Sequence, residues 1–523
     1  MANDQELNQN LEFLTFTPSR TGDKETRRIV RSHAIRDAVR KRKAGHKEAV
    51  RDTAVNSPAA HKGRFRLDSA KLQRPKKGIL KGSKEPKTQL ALSGLRNGRG
   101  GKYDASLQPS PTPFIQQPAA TWKADPFETL PIKCSIKQRA LTLYHQNVFK
   151  TNSFAFNPTE AFVAYAAADP ALLNATLSLL TLYNDLSMGH EVSQEALLHR
   201  GEALRIVNER LRWSPAEISD GTIGAVANLA HFEIMNGLFE NALTHFNGLS
   251  HMVSTRGGLL ALGSNELVQK SVGWADISFS SSFHHALQYP LLGNRVCDGR
   301  LSEFVLHTRH RYLPASYISP TKHLGTDVEQ VFLALAICST ILDLGEKASD
   351  EDKEQFSRGS YIAGYRLSCL PNQSDEVVGA DFIRKIARVA TLLYLHLALK
   401  EIPKTSQVNK HLTSQLYTFL DPLEITPSTL SPILNNSNSN DAQLIVWNLF
   451  MGASAARGVH GMENFFVQLL ADALNQLGVR DIQQFRKILA SVLWIDGWCS
   501  GESLGVWRLI EDVTRSGGVT EIL

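Results

Sequence analysis

Apolar residues spaced at threes and fours constrain this chain more than any other feature. Phe239, Leu243, Phe246, Leu249 and Val253 follow one another at spacings of 4, 3, 3 and 4. That pattern lays all five on one face of a helix turning every ~3.6 residues. Gly257-Gly258 comes next, and glycine enters the left-handed backbone that ends helices at little steric cost. Leu197, Leu204, Val207 and Leu211 share a face opposite Glu202, Arg205, Glu209 and Arg212. Phe382, Ile386, Val389 and Leu393 repeat the pattern, as do Ile482, Phe485, Ile488 and Val492. Strand-type alternation is never sustained. The expected fold class is all-α: a multi-helical body.

That texture begins only near Trp122. Before Phe114 the aromatic residues are Phe13, Phe16, Phe65 and Tyr103, out of 41 in the chain. Residues 1–102 carry 25 Lys and Arg against 10 Asp and Glu, while the remainder carries 32 against 41. So few apolar groups cannot offset roughly 1–2 kcal/mol of backbone entropy per residue. Residues 1–121 are therefore expected to form a basic, mostly disordered arm. Within it, 23–43 lacks proline and has a cap at Thr21 or Asp23, so a helix is expected there. The body divides by the same reasoning into a main helical domain over 122–402, a low-complexity linker over 403–440 and a C-terminal helical part over 441–523. The linker is read from Thr426-Pro-Ser-Thr-Leu-Ser-Pro432 and the Asn/Ser run ending at Asn440. Glu346 to Gln355 is read as a charged loop.

Cys134, Cys297, Cys338, Cys369 and Cys499 contain no CxxC spacing, so no structural zinc site of usual form can be written. Met1 to Asn10 is polar and the most apolar runs, Val331–Leu344 and Val389–Leu399, are shorter than the roughly 18–20 residues a bilayer needs. Neither a secretory leader nor a membrane span is expected. Gly501-Glu-Ser503-Leu-Gly505 has the form of a serine-hydrolase elbow, but the last histidine, His460, precedes Ser503. It reads as a loop between two terminal helices. Gly98 to Lys102 ends in Gly-Lys but is followed by Tyr103 where a phosphate loop needs Ser or Thr. His284-His285 and the pair His307 and His310 form no metal motif, and His396 sits in an apolar helix as a packed residue. No catalytic residue, metal ligand or cofactor is expected.

Charge clustering says more. Arg27, Arg28, Arg31, Arg36, Arg40, Lys41, Arg42 and Lys43 fall within 17 residues, and a second group runs through Arg74, Lys76, Lys77, Lys81, Lys84 and Lys87. Such clusters act as nuclear import signals or contact phosphates without reading bases, or are simply solvated tails. The compact Arg40-Lys-Arg-Lys43 tetrad favours import.

His245-Phe-Asn-Gly-Leu249, the run Met252-Val-Ser-Thr-Arg256-Gly257-Gly258-Leu259-Leu-Ala-Leu-Gly263, and Trp274-Ala-Asp276 together resemble the fungal-specific transcription factor domain. There a helix ends at the Arg-Gly-Gly-Leu turn and a helix bearing Trp-Ala-Asp follows, so Arg256, Gly257, Gly258, Leu259, Trp274 and Asp276 are expected to be structural. Arg27-Arg-Ile-Val-Arg-Ser-His33 looks like the N-terminal element of members that lack a zinc cluster. Indeed no cysteine precedes Cys134, whereas the family's usual DNA reader is a six-cysteine binuclear cluster. The resemblance implies a nuclear, non-enzymatic transcription regulator of a fungal metabolic or secondary-metabolite pathway. Its implied partners are other transcription factors or co-regulators, with a homodimer and weak, non-specific DNA contact as further options. The competing reading is a helical protein-interaction scaffold with no direct role in transcription.

Overall fold

A computed structural model describes residues 162–213, 218–262, 266–283, 285–292, 301–370, 380–420, 431, 434 and 439–517. The basic arm, its expected helix at 23–43 and both lysine/arginine clusters lie outside the described residues. All regular structure among the described residues is helical. In chain order the fifteen α-helices are α1 Phe162–Ala167, α2 Pro170–Ser187, α3 Gln194–Trp213, α4 Asp220–Met235, α5 Phe239–Thr255, α6 Glu266–Phe283, α7 Leu301–Tyr312 and α8 Thr326–Asp343. They continue with α9 Asp350–Cys369, α10 Ala380–Tyr394, α11 Gln407–Phe419, α12 Ser439–Ala455, α13 His460–Gln476, α14 Ile482–Val492 and α15 Asp496–Gly517. Among the described residues no helix is long and apolar enough to cross a membrane.

Side-chain caps fix several starts. Asp169 accepts from the amides of Ala171 and Leu172 at 2.9 and 3.1 Å, with Pro170 filling the first helical position where no amide is needed. Ser219, Ser406 and Asp481 cap α4, α11 and α14 in the same way. Ser349 and Asp352 exchange hydrogen bonds in a capping box. That box corrects the charged loop expected over Glu346–Gln355: its second half is the first turn of α9, where three acids favour the positive end of the helix dipole.

The apolar faces collect into two cores. One joins α1 to α6 and includes Leu204, Val207, Phe246, Leu249 and Val253 from the periodic runs. At its centre α4 is buried on nearly every side, packed by α2, α5 and α6. The other core joins α7 to α15, with Phe332, Tyr394, Trp447, Phe450 and Phe485 among its largest side chains. Helices α6 and α11 belong to both: Val272, Ala275, Phe279 and Val408 face the first core, Trp274, Ile277, Leu412 and Leu416 the second.

This places the internal boundary elsewhere than expected. The span read as linker, 403–440, contains α11, whose Val408, Leu412 and Leu416 are buried at successive helical turns. Three apolar residues spaced by four, between Pro403 and Pro422, are too short a signal to stand out beside the Ser/Asn run. The C-terminal helical part over 441–523 shares one core with α7–α11. Gly501–Gly505 is likewise helical, not a loop. It lies inside α15, and Ser503 is buried with its Oγ accepting from Arg486 Nε at 3.0 Å.

Candidate functional site

The Arg-Gly-Gly-Leu turn closes α5 as its sequence requires. Gly257 and Gly258 have φ of +91° and +98°, and the Gly258 amide returns to the Val253 carbonyl at 2.8 Å. Arg256 then reaches backward to the start of α4, donating to the Ile218 carbonyl at 2.5 Å and pairing with Asp220 at 2.9 Å. Leu259 drops into the first core. The motif thus ties the end of one helix to the beginning of another.

Trp-Ala-Asp does comparable work one helix later. Asp276 accepts from the backbone amides of Gln288 and Tyr289 at 2.9–3.1 Å, holding the segment after α6 against that helix. Burial pushes its carboxyl up to about 6, against the pull of those two amides. Trp274 turns to the other side and meets Tyr361 of α9 edge-on at 5.4 Å.

His245, the first residue of the resembling stretch, belongs to a buried network in the first core. Glu233, wholly enclosed on α4, accepts from Arg200 Nε of α3 at 2.5 Å, and His245 Nε2 of α5 lies 3.7 Å from the same carboxylate. Burial alone raises the Glu233 carboxyl, but His245 and the Arg200 charge outweigh it and hold it low. Three helices are thereby joined through one balanced charge pair.

A second buried polar cluster has no such balance, and the sequence reading did not single it out as a site. Lys400 follows a π-helical turn, Leu395–Leu399, and precedes Glu401, the one described non-glycine residue with positive φ (49°). Its ammonium sits 3.8 Å from the centroid of the Trp274 ring. His396, on the π-turn, is packed as its apolar surroundings suggest, and His231 of α4 bonds Ser278 at 3.2 Å. Burial pushes Lys400 down to about 7, and burial with the Lys400 charge pushes both histidines down to about 3. A lone lysine closing the apolar run from Val389 was the available signal. π-Turns and strained residues recur at functional positions.

His307 and His310 lie one turn apart on α7 and line one small groove. His307 is exposed and bonds the Glu303 carbonyl, and His310 lines an open groove of about 680 Å³ between α7 and α8. Among the described residues no group of three or more His, Cys, Asp or Glu could hold a metal ion.

The class this body defines is an all-helical domain stitched by buried polar contacts. Residues 139–302 match the family model of the fungal specific transcription factor domain, a stretch that holds α1 to α6. Most of the second core lies beyond the match, with Trp274, Ile277 and Leu301 inside it. No curated protein and no solved structure matches the chain.

Proposed function

We infer that the protein is a nuclear transcription regulator whose helical body receives a partner or small ligand. The carrying observation is the family match over 139–302, a domain named for transcription factors. The Arg256 and Asp276 contacts support the reading, since they give the resembling motif a definite structural task. Residues 1–133 contain no cysteine and so hold no six-cysteine zinc cluster. DNA contact then falls to the basic arm, which neutralises phosphates without reading bases. Partner factors or co-regulators supply sequence choice, and control of a metabolic pathway is the process this suits. Arg40-Lys-Arg-Lys43 is assigned to import.

Two measurements test this together. A fluorescent fusion of the full chain should concentrate in the nucleus, and replacing Arg40, Lys41, Arg42 and Lys43 by Ala should shift most of the signal to the cytoplasm. A genome-wide occupancy map should show discrete promoter peaks that weaken when residues 1–121 are removed but the chain is returned to the nucleus by a foreign import signal. A cytoplasmic wild-type fusion with no promoter occupancy would replace this reading with the interaction scaffold.

A further inference from the structure

Lys400 stands where the chain passes from one core to the other. Leu399 packs in the second core and Ile402 in the first, while the Trp274 ring under the ammonium projects from α6, a helix that serves both. The titratable groups facing it are His231 from α4 and His396 from the π-turn, with the Tyr361 phenol of α9 across the indole. Among the described residues no carboxylate stands beside burial as a cause of the lysine's displacement. Three bases are therefore enclosed together with no acid among the described residues, an arrangement that costs free energy unless an anion joins them.

Two buried polar atoms beside them are unused. Trp274 Nε1 and His396 Nε2 have no hydrogen-bond partner among the described residues. The histidine's tautomer follows from its neighbour. Asn409 donates its amide to the Ile402 and Pro403 carbonyls, both at 3.1 Å, so its oxygen faces His396 Nδ1 at 3.3 Å and must accept from it. Nε2 is left with a bare lone pair. An indole N–H, a basic ring nitrogen and a lysine thus lack a group that can accept, bring a proton and carry negative charge. Lys400 keeps 7% of its surface accessible, which suits a group of a few atoms only.

We propose that this seam binds the carboxylate of a small organic acid, with Lys400 as counter-charge, Trp274 Nε1–H as donor and His396 Nε2 as the atom that takes up a proton with the anion. The ligand enters as carboxylate plus proton. Where Lys400 is already charged the proton goes to His396 Nε2, and both groups donate to the carboxylate; where the amine is neutral the proton goes to Lys400, which alone of the two donates as a cation. Binding ties the two cores through a common charge pair. This proposal is independent of the role in transcription.

The test uses the full chain with formate and acetate as probes, against chloride at equal ionic strength. Titration calorimetry at pH 7.5 in buffers of different ionisation enthalpy should show proton uptake. Affinity should weaken by up to about tenfold per pH unit between pH 7.5 and 9.5, the slope of one linked proton. Lys400→Met, with its helical circular dichroism intact, should lose acetate binding at least tenfold. His396→Gln should bind acetate with less proton uptake. Equal binding of chloride would overturn the carboxylate assignment. Binding without proton uptake in wild type, or unchanged in Lys400→Met, would overturn the site, as would no heat with any probe up to tens of millimolar.

Discussion

The first core and the seam enclose polar clusters of similar size and opposite logic. Around Glu233 the charges cancel: one carboxylate sits between Arg200 and His245, and each member is held by a different helix. Around Lys400 nothing cancels, and the lysine and both histidines lower their charge instead. A balanced buried pair resists change, because removing either partner strands the other. An unbalanced group of bases is stable only while protons stay away. The first cluster is a clasp, and the second responds to what reaches it.

Breaking the clasp gives the largest expected effect. Glu233→Ala leaves the Arg200 guanidinium buried and unpaired, so chemical denaturation should show a loss of about 3–5 kcal/mol. Lys400→Met should act in the reverse direction, stabilising by roughly 2–4 kcal/mol at pH 7 after the lost ring contact is deducted. The sign follows from proton counting. An unfolded lysine holds its proton to about 10.4, whereas Lys400 in the fold releases it near 7. The unfolded state therefore binds more protons between those values, and wild-type stability climbs with pH through that window. The Met variant lacks this climb, so its advantage should close at alkaline pH. His231 and His396 are displaced from the usual 6.5 to about 3, which makes both proteins weaken as pH falls from 6.5 towards 3.

The smallest change is expected at Asp276, outside both clusters. Asp276→Ala releases the amides of Gln288 and Tyr289, a loss of about 1–3 kcal/mol by thermal melting. Its folded carboxyl titrates near 6 and an unfolded one near about 3.9. The folded state takes the proton first, so wild-type stability declines as pH rises from 4 to 6. The Ala variant should lack that decline, and an identical pH profile would show that the carboxyl is not displaced.

The sequence was legible wherever information is local. Apolar spacing located α5, α10 and α14, and Gly257-Gly258 marked its helix end. Local reasoning failed where neighbours misled: α11 lay beside a Ser/Asn run, and Gly501 and Gly505 suggested a loop inside α15. At the site, the resemblance pointed to Arg256, Trp274 and Asp276, but not to what they touch. Asp220, Lys400 and Gln288 become their partners only through packing between helices, which no helical period records. Lys400 lies 126 residues after the ring it covers.

Helix α6 gives the two cores a common wall. Val272 and Phe279 look into one, and Trp274 and Ile277 into the other. Its neighbours come close enough that a methyl at Gly273 would lie 2.2 Å from the Tyr361 hydroxyl. A beam wedged between two rooms cannot turn for the convenience of one. Rotating α6 to relieve a defect in the first core would withdraw Trp274 from the second. Any shift of α6 that serves one core is therefore opposed by the packing of the other.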